Sequence, residues 1–318
     1  MPKFLKPWRM ALPTIALVLL GLLWSGYWLW ASSLAQHAVG KWRAGLAADG
    51  ITVSCGEESW GGYPFRVELH CSPGKIASAE RSAEFTKLTV MAQAYHLGHV
   101  LLLNDGETII TGPMGSLKIA HEGATASLIF NSKGQMQVDV EFTKPQADTF
   151  SAHRLAFHTR KKPGRSEQVL EIAAAMELGQ IQTNAEPVAI DSLTLSGSLT
   201  PVPKLITYEN LSRQGSLLTL DQIVLQSAAI RYQASGQLQI GRDAHLKGIL
   251  KGRLQNLDQL LQDLADRGFL DPDARMGAGA VLGLLGGNSP EGMQIEIAAD
   301  QGGLYIGPFR IADLPALF

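Results

Sequence analysis

The sequence predicts a mainly β (α+β) protein. It has a curved or folded-over antiparallel sheet, an N-terminal transmembrane helix, an amphipathic helix after it, and two helices near the C-terminus. Three observations carry this. Residues 10–40 contain no Lys, Arg, Asp or Glu. From Ile51 onward apolar and polar residues alternate with a period of two. Few segments beyond the anchor have helical periodicity, so the apolar faces of the strands must cover one another.

The apolar run 10–31 is long enough to cross the roughly 30 Å hydrocarbon core of a bilayer. It is longer than the apolar stretch of a cleaved secretory signal and ends in bulky indoles, with only a poor cleavage candidate at Ser33-Leu34-Ala35. Lys3, Lys6 and Arg9 precede it, so residues 1–9 are expected as a cytoplasmic tail and the rest of the chain outside the cytoplasm. Trp24, Tyr27, Trp28 and Trp30 crowd the far end, where an aromatic belt belongs. Residues 31–48 continue at helical period, with Leu34, Ala38, Trp42 and Leu46 as the stripe expected to pack on the first strands.

Cys55 and Cys71 flank a strand–turn–strand pattern whose turn is Trp60, Gly61, Gly62, Tyr63, Pro64 and Phe65. With the hairpin centred on Tyr63, the two thiols face each other on the apolar side, within reach of a disulfide. No Cys-x-x-Cys spacing suggests redox chemistry.

Further on, residues 135–142 alternate without a fault and place Met136, Val138, Val140 and Phe142 on one side. Residues 192–199 do the same for Leu193 and Leu195; segments 229–234, 237–240 and 292–297 behave alike. Turn chemistry marks 104–106, 132–134, 163–164 and 201–203. Asn256 is placed to cap a helix over 257–267, and Pro272 to open a second over 272–285. A final strand pair is expected at 293–298 and 304–311. The basic turn 160–165 divides the body into β-rich regions 32–160 and 166–318, which can also form one continuous domain.

The anchor, the Trp60-Gly-Gly-Tyr-Pro-Phe-Arg66 turn between two cysteines, and the ending Gly302-Gly-Leu-Tyr-Ile-Gly-Pro-Phe309 with Leu314-Pro-Ala-Leu-Phe318 together resemble a bacterial family, "domain of unknown function 2125". The resemblance spans nearly the whole chain. It implies the envelope of Gram-negative cells: a single-pass inner-membrane protein with a periplasmic C-terminal domain. More loosely, the glycine-punctuated amphipathic strands behind one membrane helix look like the β-rich envelope proteins related to AsmA, which implies lipid held in an apolar groove. Met136, Val138, Val140, Phe142, Leu193 and Leu195 are then the candidate lipid-facing residues.

Composition and motifs narrow the remaining classes. Beyond the anchor the chain carries 24 Lys+Arg against 29 Asp+Glu, a net charge of −5, which argues against a nucleic-acid partner. His96 and His99 fall on opposite faces of a strand and lack a completing carboxylate or thiolate, so no metal is expected. No Gly-x-Ser-x-Gly elbow exists, Ser72-Pro-Gly-Lys75 is a turn, and Gly277–Gly283 lacks phosphate-loop spacing, so neither catalytic residues nor a cofactor are expected. Two non-enzymatic readings remain, a lipid groove and an envelope scaffold binding other envelope proteins.

Overall fold

A single helix, α1 (Pro7–Ala48), runs through both the apolar segment and the predicted amphipathic helix without a break. The computed structural model describes residues 7–112, 115–130, 136–161, 169–182, 187–202, 211–212, 215–228, 230–241, 243, 245–256, 259, 262, 292–306 and 309–314. The chain divides into two compact units, residues 1–116 and 117–318. The boundary falls within one strand (Gly115–Ala120), earlier than the predicted 160–166. The strands on either side of the basic turn pair with each other.

In the first unit α1 ends at a left-handed Gly50 (φ +77°), where Ile51 N donates to Leu46 O at 2.8 Å. Gly supplies that conformation at no steric cost. The chain then turns back into β1 (Thr52–Gly61) and β2 (Arg66–Ala77), an antiparallel hairpin. The other edge of β2 carries β3 (Ser82–Phe85) and β4 (Leu88–Gln93) end to end, and these carry β6 (Glu107–Gly112) and β5 (His96–Asn104). Asn104–Gly106, expected as a turn, is therefore a kink within one row of the sheet. Val67, Leu69 and Cys71 of β2 are buried on the same side.

The helix packs through a stripe one residue out of phase with the expected one. Leu34, Ala38 and Trp42 are exposed, while Ala31 and Ser32 are buried and Ala35, Val39, Arg43 and Leu46 are partly covered. Small side chains let the helix approach the hairpin, and Arg43 closes the contact with an ion pair to Glu58 at 2.8 Å.

After the boundary strand, β7 (Gly115–Ala120), the second unit is a meander in which each long strand pairs antiparallel with the next. Its strands are β8 (Gly123–Phe130), β9 (Met136–Thr143), the short β10 (Phe150–Ser151), β11 (Arg154–Lys161), β12 (Leu170–Ile181), β13 (Val188–Thr200) and β14 (Leu217–Ser227). They continue as β15 (Ile230–Ile240), β16 (Leu246–Gln255), β17 (Met293–Asp300), β18 (Gly303–Ile306) and β19 (Phe309–Asp313). Residues 230–234 and 237–240, expected as separate segments, are one strand, since Ser235-Gly236 stays in the ladder. The expected strand 304–311 is instead two, β18 and β19, which pair with each other. Helix 272–285 lies outside the described residues, as does helix 257–267 apart from Gln259 and Gln262.

Candidate functional site: the apolar face of the second unit

Directly paired residues in an antiparallel sheet project to the same side. The register therefore strings side chains into rows that cross the whole meander. One row reads Ala124, Phe142, Leu155, Met176, Leu193, Leu225, Tyr232, Leu254, Met293. The next reads Ala126, Val140, Phe157, Ala174, Leu195, Ile223, Ala234, Gly252, Ile295. A third runs Leu128, Val138, Thr159, Ile172, Gly197, Leu220, Gly236, Leu250, Ile297. At the end of the strands Phe130 pairs with Met136, and Leu170, Leu199, Leu218, Leu238, Gly248 and Ala299 form a fourth row. All six candidate lipid-facing residues lie on this single face.

Sequence periodicity does not reveal β14, although it carries four members of the face. Its apolar residues Leu218, Leu220, Ile223 and Leu225 are spaced two, three, two. The register slips between Leu220 and Ile223, and the bulge returns both side chains to the same side.

Glycines set how the neighbouring strands meet along these rows. A Cβ at Gly197 would collide with Thr219 O, and one at Gly236 with Ile249 O. Both would point to the apolar side, so at these crossings the neighbouring backbone lies close against the glycine. No side chain fits there.

Cover over the face is uneven. Leu220, Leu238 and Ala299 form a buried cluster with Leu218, Leu250 and Leu304 against it. Leu211, from the connection between β13 and β14, packs with Leu170, Leu199 and Ile240 and closes one end. Toward β8 and β11 the face opens, and Phe130 and Phe157 are exposed. Thr159 interrupts the third row and Lys161, opposite Leu170, the fourth; in the first row the Tyr232 hydroxyl is buried without a hydrogen-bond partner, and burial pushes the phenol above the usual tyrosine range.

The opposite face is polar and laced with ion pairs. Arg154 bridges Glu141 at 2.8 Å and Glu177 at 3.1 Å. The hydrogen bond from Arg154 holds the Glu141 carboxyl below its ordinary range, against a smaller opposing effect of burial. Asp139 pairs with His158, and Glu171 with Arg160. An open depression of about 730 Å³ crosses β13 to β17 on this side, lined by Ser196, Gln222, Gln233, Lys251, Arg253 and Glu296. Among the described residues no three His, Cys, Asp or Glu side chains converge where a metal ion could sit.

In the first unit Cys55 and Cys71 are joined by a disulfide, Cα to Cα 5.3 Å. They do not face each other directly: Cys55 pairs with Gly74, and Cys71 with Glu58. The hairpin is centred between Pro64 and Phe65 rather than on Tyr63. The bridge reaches diagonally across the space that Gly74 leaves empty, where an added Cβ would lie 3.3 Å from the Cys71 sulfur. Trp60, Gly61, Gly62, Tyr63, Pro64 and Phe65 form the end of the hairpin, with Arg66 N donating to Gly62 O at 2.9 Å.

The fold and this face define a class: an antiparallel β protein with one apolar and one polar sheet face, led by a helix long and apolar enough to cross a membrane. The chain matches the family described as an uncharacterised protein conserved in bacteria, DUF2125, over residues 28–315, and it belongs to that family. No curated protein and no solved structure matches it.

Proposed function

We propose that this protein is a single-pass inner-membrane protein whose periplasmic second unit holds lipid acyl chains against its apolar face without chemically changing them. The observation that carries the reading is the run of mostly apolar rows across nine strands on one face of the sheet. Burial of aliphatic surface at about 25 cal/mol per Å² is non-directional and suits acyl chains. The exposed Phe130 and Phe157 mark the side from which a chain enters. The Tyr232 hydroxyl offers one hydrogen bond to a polar lipid group.

The test places a photo-crosslinking benzoyl-phenylalanine at Val140 or Leu195 in the full chain, irradiates intact cells, and identifies adducts by mass spectrometry. Lipid adducts at these two positions, and none at Asp139 on the polar face, are the expected result. No lipid at any of the three overturns the groove. Topology is tested separately: a C-terminal alkaline-phosphatase fusion is active if the body is periplasmic, and inactive if the orientation is reversed.

A second reading, a non-enzymatic scaffold for envelope proteins, is favoured by the charged depression on the polar face. Protein adducts at Gln222 or Lys251 with no lipid adducts at Val140 and Leu195 would put that reading ahead.

A further inference from the structure

The end of the β1–β2 hairpin is bound to the apolar part of α1, well before that part ends. Trp24 Nε1 donates to Pro64 O at 3.0 Å and Trp28 Nε1 to Arg66 O at 2.7 Å. The Ser25 and Tyr63 hydroxyls are 2.9 Å apart. The neighbouring β4–β5 turn joins them, since the Tyr27 hydroxyl donates to Ala94 O at 3.0 Å. Ring contacts of Trp24 with Phe65 and of Trp28 with Tyr63 complete the attachment.

Counting along the helix sets the depth of these turns. About 20 residues at 1.5 Å rise span the hydrocarbon core. Measured from Ala11, the end of that span falls near Trp30. The hairpin is held at residues 24–28, so it lies roughly 3–10 Å inside that limit. Sliding α1 outward to lift the turn clear would draw Arg9 into hydrocarbon, at a cost. Yet more than half of each aromatic side chain at these turns remains uncovered by the protein: Tyr63 is 58%, Phe65 62% and Tyr95 63% exposed. Aromatic rings with a polar tip are the side chains that settle at the boundary between headgroups and acyl chains.

We infer that Tyr63, Phe65 and Tyr95 are immersed in the interface of the bilayer that α1 crosses, so that the first sheet is seated in the leaflet and not only tethered above it. The inference rests on the reading of α1 as a membrane span and is independent of whether the second unit holds lipid. Seating in this way removes the exposed aromatic surface from water and leaves the Trp24 and Trp28 N–H groups satisfied by the turn within the lipid.

Site-directed spin labelling of the full chain in phosphatidylglycerol–phosphatidylethanolamine nanodiscs tests it. The native cysteines are joined to each other and do not take the label. Labels are placed at Phe65→Cys and Tyr95→Cys, with Leu20→Cys inside the span and Glu80→Cys on the exposed β2–β3 turn as references. Collision with oxygen is compared with collision with a water-soluble nickel chelate. The expected result is that positions 65 and 95 exclude the chelate as position 20 does, while position 80 collides with it freely. If position 20 excludes the chelate but 65 and 95 admit it as position 80 does, the immersion is wrong and the span stands. If position 20 also admits the chelate, both are wrong. The two labels sit on different turns, so local disruption of one leaves the other to decide.

Discussion

The first unit and the second unit keep their strands in register by different means. In the first, the strands flanking the β3–β4 and β5–β6 interruptions are short, and β2 is pinned by a disulfide on one side and by hydrogen bonds from α1 to its turn on the other. In the second, β12 to β16 run ten to thirteen residues, and four largely apolar rows cross them on one face. A one-residue slip there would turn every row toward water. Register in the second unit is thus set by the rows themselves, whereas the β1–β2 hairpin, whose far edge meets the short β3 and β4, is held at fixed points.

Removing a row member should give the largest effect. Leu220→Ala leaves a cavity in the buried cluster with Leu238 and Ala299 and is expected to cost about 3–4 kcal/mol. Hydrogen exchange should show lost protection in β13 to β16 with β1 to β4 unchanged. Equal loss in both regions would break the comparison.

The complementary change, Cys55→Ala with Cys71→Ala, opens a loop of 16 residues and is expected to cost about 3 kcal/mol. Its loss of protection should be confined to β1 and β2. A loss confined to the second unit would show that the disulfide does not pin the first.

Gly236→Ala forces a Cβ toward Ile249 O and should cost about 2 kcal/mol, whereas Ser235→Ala on the opposite face stays within about 0.5 kcal/mol. Indistinguishable melting temperatures for the two would remove the case for a close backbone approach at that crossing.

The smallest effect concerns pH. Burial raises the Tyr232 pKa in the folded state above its unfolded value, so the neutral phenol is the form the fold accepts. Its contribution is complete below the unfolded pKa and lost as pH rises through the folded one. Denaturation at alkaline pH, above about 10, should therefore occur at higher pH in Tyr232→Phe than in the native protein. Identical alkaline limbs would show the hydroxyl to be solvated.

Much of the architecture is legible in the residues themselves. Alternation in 135–142 and 192–199 places six side chains on the face where the register puts them, because period two is imposed by the pleat. The same signal hides β14, since a bulge shifts the spacing at Asp221-Gln222 by one residue. Ser235-Gly236 looks like punctuation but is a close crossing inside one strand. The helix stripe is off by one residue because hydrophobicity marks Leu34 and Trp42, while close packing chose Ala31, Ala35 and Val39. The hairpin register depends on how Gly62 to Phe65 fold, which residue type alone does not decide.

The unbroken course of α1 has a mechanical consequence. A helix crossing a bilayer of the wrong thickness relieves the mismatch by tilting. Beyond Pro13 the helix runs on without a break, and the hairpin is fastened to it at Trp24, Ser25 and Trp28 near one end and at Arg43 near the other. Over roughly 30 Å of shared length, helix and hairpin turn as one lever. Were α1 to cross a bilayer, thinning or thickening of that bilayer would be converted into rotation of the first sheet about the point where the helix leaves the lipid.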